Sequence, residues 1–217
     1  MKKFPKIIIV FFMLFALTGL CESQTEHLIA GRTMGTTYNV KVVGGEAEDV
    51  NGLRQKIEQR LLDLNRVFST YIKDSEISRF NALKRAGEEF EVSEDFIQVM
   101  RVARDIHRLS EGAWDATVNP LVDLWSFGPT RRKPRMPPVE AIKALLPGIG
   151  FDRIRIEEPK FLVKDLASVT LDLNAIAKGY AVDEVANLVA ANGIKSCMVE
   201  IGGEVFAAGF RPDGRRW

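Results

Sequence analysis

The sequence predicts an α+β fold, with mixed, largely antiparallel sheets and helices packed on them, and two observations carry that expectation. Strand-like and helix-like stretches are interspersed without the regular alternation of a doubly wound sheet. Neighbouring strand-like stretches are joined by short turns: Pro159 separates RIRIEE from KFLVKD, and Gly202 with Gly203 separates SCMVEI from EVFAAG. A third observation bounds the size, because 217 residues at 46% hydrophobic and 27% charged suit one domain with a sizeable core.

In chain order, TYNVKVVG alternates as a strand does and stops at Gly44 and Gly45. Leu53, Ile57, Leu61, Leu64 and Phe68 then recur every three or four residues, the buried stripe of an amphipathic helix. A second helix is expected from Ser93, whose hydroxyl suits a cap, with Glu94 and Asp95 at the positive end of the dipole. Its stripe runs Phe96, Met100, Ala103 and His107, so His107 belongs inside or at the core's edge. With His27 the only other histidine, a structural role for His107 outweighs a metal site. RIRIEEPKFLVKD reads as two strands about Pro159, SVTLDL as a third, and AIAKGYAVDEVANLVAANG as a helix stopped by Gly193. SCMVEIGGEVFAAG closes the pattern as a strand pair, with Cys197 a buried small apolar residue, since no CxxC surrounds it.

The ends and the charge narrow the function classes. Lys2, Lys3 and Lys6 precede an uncharged run from Ile7 to Leu20, which is short for a membrane span and fits the apolar core of a secretory signal. Residues 1–21 are therefore expected to be a signal peptide and the protein to be exported. Cys21 sits where bacterial lipoprotein signals carry their lipidated Cys, although Leu20 stands in place of the usual small residue. A lipid anchor at the periplasmic face of the inner membrane and ordinary cleavage into the periplasm both stay open. A net charge of +1 argues against nucleic acid as a partner. The cluster Arg131, Arg132, Lys133 and Arg135 among prolines reads as a solvated loop.

LDLNAIAKGYAVDEV, residues 171–185, begins as a strand and ends as a helix. Alternation with Leu171 and Leu173 turns Asp172 to the other face, and Asn174 suits a helix cap. Lys178 adds a positive charge about one turn in, and Gly179 permits close approach. A helix N-terminus presents unpaired N–H groups that attract phosphate. Together these residues offer an anion site beside a carboxylate, the arrangement expected where a phosphate-bearing ligand shares its charge with a hard cation such as magnesium, but the stretch taken alone reads more simply as a capped helix following a strand.

Three further stretches precede it in order: GRTMGTTYNVKV at 31–42, STYIKDSEISRFN at 69–81 and EGAWDATVNPLVDLWSFGP at 111–129. Taken singly, Met34 and Tyr71 read as core residues, Trp114 as packing and Asp115 as a turn or cap residue. The four motifs in succession resemble the ApbE family, the FAD:protein FMN transferases, over nearly all of the chain after the signal. The resemblance implies a magnesium-dependent enzyme that cleaves the pyrophosphate of FAD, attaches FMN to a Thr or Ser hydroxyl of an exported acceptor protein, and releases AMP. Its FAD-contacting positions fall on Met34, Tyr71, Ala113, Trp114, Asp115, Asp172 and Lys178. Ala175 takes the position that gives magnesium an oxygen ligand, which must be its backbone carbonyl. Asp172 is the nearest carboxylate for a catalytic base, with a binding role as the equal alternative.

Glu200 departs from the family pattern, which places a small polar residue, often Asn, two positions before the glycine pair. The resemblance also implies that residues 22–217 are the N-terminal part of an ApbE-like domain, with the C-terminal part of the fold missing. The remaining magnesium ligands are expected beyond Trp217, where a further strand should begin, and the chain alone is expected to be poorly stable and inactive. Two other functions fit the same residues: an FAD pyrophosphatase yielding FMN and AMP, and a non-catalytic FAD-binding lipoprotein.

Overall fold

The computed structural model describes residues 25–45, 47–128 and 136–217. The proposed signal, Cys21 and the basic cluster 131–135 lie outside the described residues.

The first sheet begins with a hairpin of β1 (Glu26–Thr33) and β2 (Thr36–Val43), with Thr33 paired to Thr36. β6 (Cys197–Ile201) pairs with β2 in the register Val40 to Val199, and β7 (Glu204–Ala208) pairs with β6. The order is β1-β2-β6-β7, antiparallel throughout. A smaller antiparallel sheet has the order β3 (Glu89–Glu91), β5 (Phe161–Lys164), β4 (Ile154–Glu157).

α1 (Ala47–Phe68) turns the predicted stripe inward, with Leu53, Ile57, Leu61, Leu64 and Phe68 all buried. α2 (Glu76–Ala82) is capped by Ser75, and α3 (Glu94–Leu109) by Ser93, whose hydroxyl accepts from Phe96 N at 3.3 Å. Two short helices follow, α4 (Asn119–Leu124) and α5 (Val139–Leu145), and neither buries a residue. α6 (Asn174–Ala191) buries Ala177, Ala181, Val185 and Val189 against the first sheet and the other long helices. Small residues on that stripe let α6 lie close to its neighbours. Among the described residues no helix is long and apolar enough to cross a membrane.

An ionic network locks the three long helices. Arg60 of α1 pairs with Asp95 of α3 at 2.5 Å and Glu184 of α6 at 2.7 Å, and Tyr180 Oη donates to Asp95 Oδ1 at 2.7 Å. Burial pushes the Asp95 carboxyl up, but the Arg60 and Tyr180 hydrogen bonds outweigh it and hold it below its ordinary range. Burial and the bond to Asp95 push the Tyr180 phenol well above its own.

Two local expectations need correction. SVTLDL is not a strand: Val169, Leu171 and Leu173 are buried as alternation requires, yet the segment joins neither sheet. Its backbone is satisfied otherwise, by the Asn81 amide, which donates to Leu171 O at 2.8 Å and accepts from Leu171 N at 2.7 Å, and by Ala116 O, which accepts from Asp172 N at 2.8 Å. Lys164, fully buried under the segment's approach, donates to Ala167 O and Val169 O at 3.1 Å each. The second correction is that Asn174 is not the cap of α6 but its first residue.

Candidate functional site

A cavity of about 410 Å³ opens where the β1–β2 turn, the C-terminal end of α1 and the first turns of α6 converge. Met34 and Gly35, Asn65, Phe68, Ser69 and Tyr71, and Asn174, Ala177 and Lys178 line it. Its size lies within the range of small-molecule sites.

Each wall is held by local chemistry. Met34 and Gly35 are the two central residues of the hairpin turn, and both have positive φ, 48° and 75°. That geometry matches the right-handed twist of the strands and ordinarily takes Asn-Gly. A methionine there costs about 1–3 kcal/mol of backbone strain, a cost met chiefly at ligand sites. Asn65 Nδ2 ties the turn to α1, donating to Thr33 Oγ1 at 2.8 Å and Leu61 O at 2.7 Å. After α1 the chain is gathered at Ser69, whose carbonyl accepts from Ser75 Oγ at 2.6 Å and whose hydroxyl accepts from Tyr71 N at 3.3 Å. Tyr71 is thereby left 66% exposed at the rim, an aromatic face with no packing duty.

The strand-to-helix junction works differently from its sequence reading. Asp172 is only 9% exposed, and its carboxylate accepts from Asn174 N at 2.8 Å and Asn174 Nδ2 at 3.1 Å. Asp172 therefore ties down Asn174, the first residue of α6, while Leu173 occupies the cap position. Leu173 O takes the N–H groups of Ile176 and Ala177. The expected row of unpaired N–H groups is thus largely used up inside the protein, which leaves phosphate attraction to Lys178. Its Nζ donates to Asn174 O at 3.2 Å and stands 3.5 Å from Glu204 Oε1.

The third motif stays apart from the cavity lining. Trp114 packs on the core, its N–H given to Ser110 Oγ at 3.1 Å and its carbonyl facing His107 Nδ1 at 3.0 Å. Ala113 N donates to Ser110 O at 3.0 Å. Asp115 Oδ1 accepts from Thr117 N at 2.7 Å and Thr117 Oγ1 at 2.5 Å, and Oδ2 accepts from Phe151 N at 2.9 Å. The plainer sequence reading of Asp115, a turn residue, is the one its geometry matches. Met34, Tyr71 and Lys178 are therefore brought together, whereas Ala113, Trp114, Asp115, Asp172 and Ala175 do not line the cavity.

Sequence reasoning missed Asn65 and Phe68, which sit on the inner end of an amphipathic helix and carry no signal beyond burial. For a divalent cation, the described residues hold no group of three His, Cys, Asp or Glu side chains. The exposed Ala175 and the engaged Asp172 carboxylate do not by themselves make a magnesium shell.

Residues 34–217 match the model of the ApbE family. The chain is 39% identical to the FAD:protein FMN transferase of Haemophilus influenzae, over 100% of this chain and 64% of the relative. It is 41% identical to that of Vibrio cholerae, over 94% of this chain and 61% of the relative. Among solved structures, the flavin transferase ApbE of Vibrio cholerae superposes with a TM-score of 0.85 at 40% identity, covering 89% of this chain and 62% of the other. The flavinyl transferase ApbE of Pseudomonas stutzeri gives 0.82 at 38%, covering 89% and 64%. The chain thus spans somewhat over three fifths of the length of these relatives.

Proposed function

The chain belongs to the ApbE family, and on that premise we propose that the protein transfers FMN from FAD to a Thr or Ser hydroxyl of an exported acceptor protein, releasing AMP. The observation that carries this reading is the convergence of Met34, Tyr71 and Lys178 on one cavity. These residues come from three separate motifs and offer what a flavin dinucleotide needs. The Tyr71 ring and the Met34 thioether pack on a flat aromatic system, and Lys178 balances phosphate charge.

In the transfer, the acceptor oxygen bonds to the FMN phosphorus in line while the bond from that phosphorus to the AMP oxygen breaks, and the hydroxyl proton leaves to a base. Lys178 serves by drawing the pyrophosphate to the first turns of α6. Asp172 stays the candidate base, with a binding role as the alternative: its two oxygens each accept one bond from Asn174, and each keeps a lone pair for a proton or a ligand. Magnesium dependence rests on the family resemblance, and when bound the ion would neutralise phosphate charge. Ala175 and Asp172 alone do not complete its shell.

Export belongs to the same proposal, supported by the lysines and apolar run before Cys21, with a lipid anchor at the inner membrane or free periplasmic protein as its two forms. The test of function is incubation with FAD, Mg²⁺ and a Thr-bearing acceptor protein, using these residues and a version at the relatives' length. Flavin covalently on the acceptor with equimolar AMP is expected from the longer version. Free FMN and AMP without labelled acceptor would make the protein a pyrophosphatase, and tight FAD binding without AMP would make it a binding protein.

A further inference from the structure

The turn between β6 and β7 forms a fixed wall beside Lys178. Gly202 has φ +58, and a Cβ built there would stand 2.7 Å from Thr36 Cγ2 and 3.2 Å from Lys178 Cδ, so the turn is pressed against both the β1–β2 hairpin and the lysine stem. Glu200 clamps it from the other side: Oε1 accepts from Gly203 N at 2.8 Å and Oε2 from Asn39 Nδ2 at 2.8 Å. Glu200, the residue that departs from the family pattern, is thereby a turn clamp. Glu204 emerges directly from this turn, with its carboxylate 3.5 Å from Lys178 Nζ. The lysine and glutamate side chains are 28% and 40% exposed, so both are reachable from solvent. At 3.5 Å the pair is an electrostatic contact and not a close hydrogen bond, and the lysine's hydrogen bond goes to Asn174 O.

We propose that Glu204 is a specificity-determining residue: it is the resident counter-charge of Lys178, and it penalises anionic ligands in proportion to their charge. This rests on the reading of Lys178 as the phosphate contact. A phosphate drawn to Lys178 must take the place of Glu204 as the lysine's partner while Glu204, whose backbone leaves the clamped turn beside it, remains nearby as a repelling charge. Free pyrophosphate carries more negative charge than the doubly esterified pyrophosphate of FAD, and so meets the larger repulsion. The arrangement favours the intact dinucleotide over small, highly charged phosphates at a common site.

The experiment is calorimetric titration of the wild-type chain, E204Q and E204D with inorganic pyrophosphate and with FAD, at low and high salt. E204Q is expected to bind pyrophosphate about threefold tighter or more and FAD by a smaller factor, with the difference shrinking as salt screens it. E204D, which keeps the charge, should stay near wild type. Unchanged or weaker pyrophosphate binding by E204Q, or an equal gain for both ligands, would overturn the proposal. A wild-type chain that binds pyrophosphate but not FAD, with the E204Q gain intact, would instead refute the flavin reading and leave the role of Glu204 standing.

Discussion

Two stretches that the family resemblance assigns to one site behave in opposite ways. Met34, Tyr71 and Lys178 meet in the lining of one open cavity, Met34 also packing against the core. Residues 113–117 spend their polar atoms on other parts of the chain, with the two Asp115 oxygens bonded to Thr117 and Phe151. The second stretch still reaches the site, through a relay of backbone and carboxylate. Ala116 O holds Asp172 N, Asp172 holds Asn174, and Asn174 O receives Lys178 Nζ. A motif residue can thus set where a cavity-lining residue stands without lining the cavity itself, and the two kinds should fail differently when mutated.

Asp115→Ala is the largest expected break. Removing a mostly buried carboxylate, 11% exposed and accepting three hydrogen bonds, should destabilise the fold by about 3 kcal/mol. Urea denaturation reads this directly, and native-like stability with lost FAD binding would make Asp115 a contact instead of a strut. Tyr71→Ala is the mirror image. Its unfolding free energy should stay within about 0.5 kcal/mol of wild type, while FAD affinity by flavin fluorescence falls about fivefold from loss of ring packing.

Met34→Gly sharpens the comparison by separating stability from binding in size. Relief of positive φ is offset by glycine's greater unfolded freedom and by the lost packing of the partly buried Met34 side chain on the core, so stability should change by less than about 1 kcal/mol while FAD binding weakens. Thermal unfolding run beside an FAD titration checks both. The smallest effect concerns the helix lock. The folded Asp95 carboxyl lies below its unfolded value, so its contribution is present above about pH 4 and is lost as pH falls through the folded value. Asp95→Asn should flatten the acid limb of stability measured by urea denaturation across pH, and an unchanged limb would remove Asp95 from the lock.

What the sequence made legible was local and periodic. The stripes of α1 and α3, the Ser93 cap and the two strand pairs follow from spacing alone. β1 escaped because only Ile29 and Thr33 of its eight residues are buried, and Leu28 is half exposed. SVTLDL misled because alternation reports burial and not a hydrogen-bonding partner, and the partner here is the side chain of Asn81, 90 residues away in sequence. The motifs located Asp115 and Asp172 but could not say whether their oxygens faced a ligand or the chain. The approach of Glu204 to Lys178 depends on packing α6 against β7, which no spacing encodes.

The central claim, that Lys178 draws a flavin dinucleotide's phosphates into the cavity beneath Met34 and Tyr71, is tested most directly by titrating wild type and Lys178→Ala with FAD and with riboflavin, which has no phosphate. Loss of one charge-assisted contact should cost about 1.5–3 kcal/mol, weakening FAD binding about tenfold or more and leaving riboflavin unchanged. FAD affinity equal to wild type, or an equal loss for riboflavin, would contradict the account.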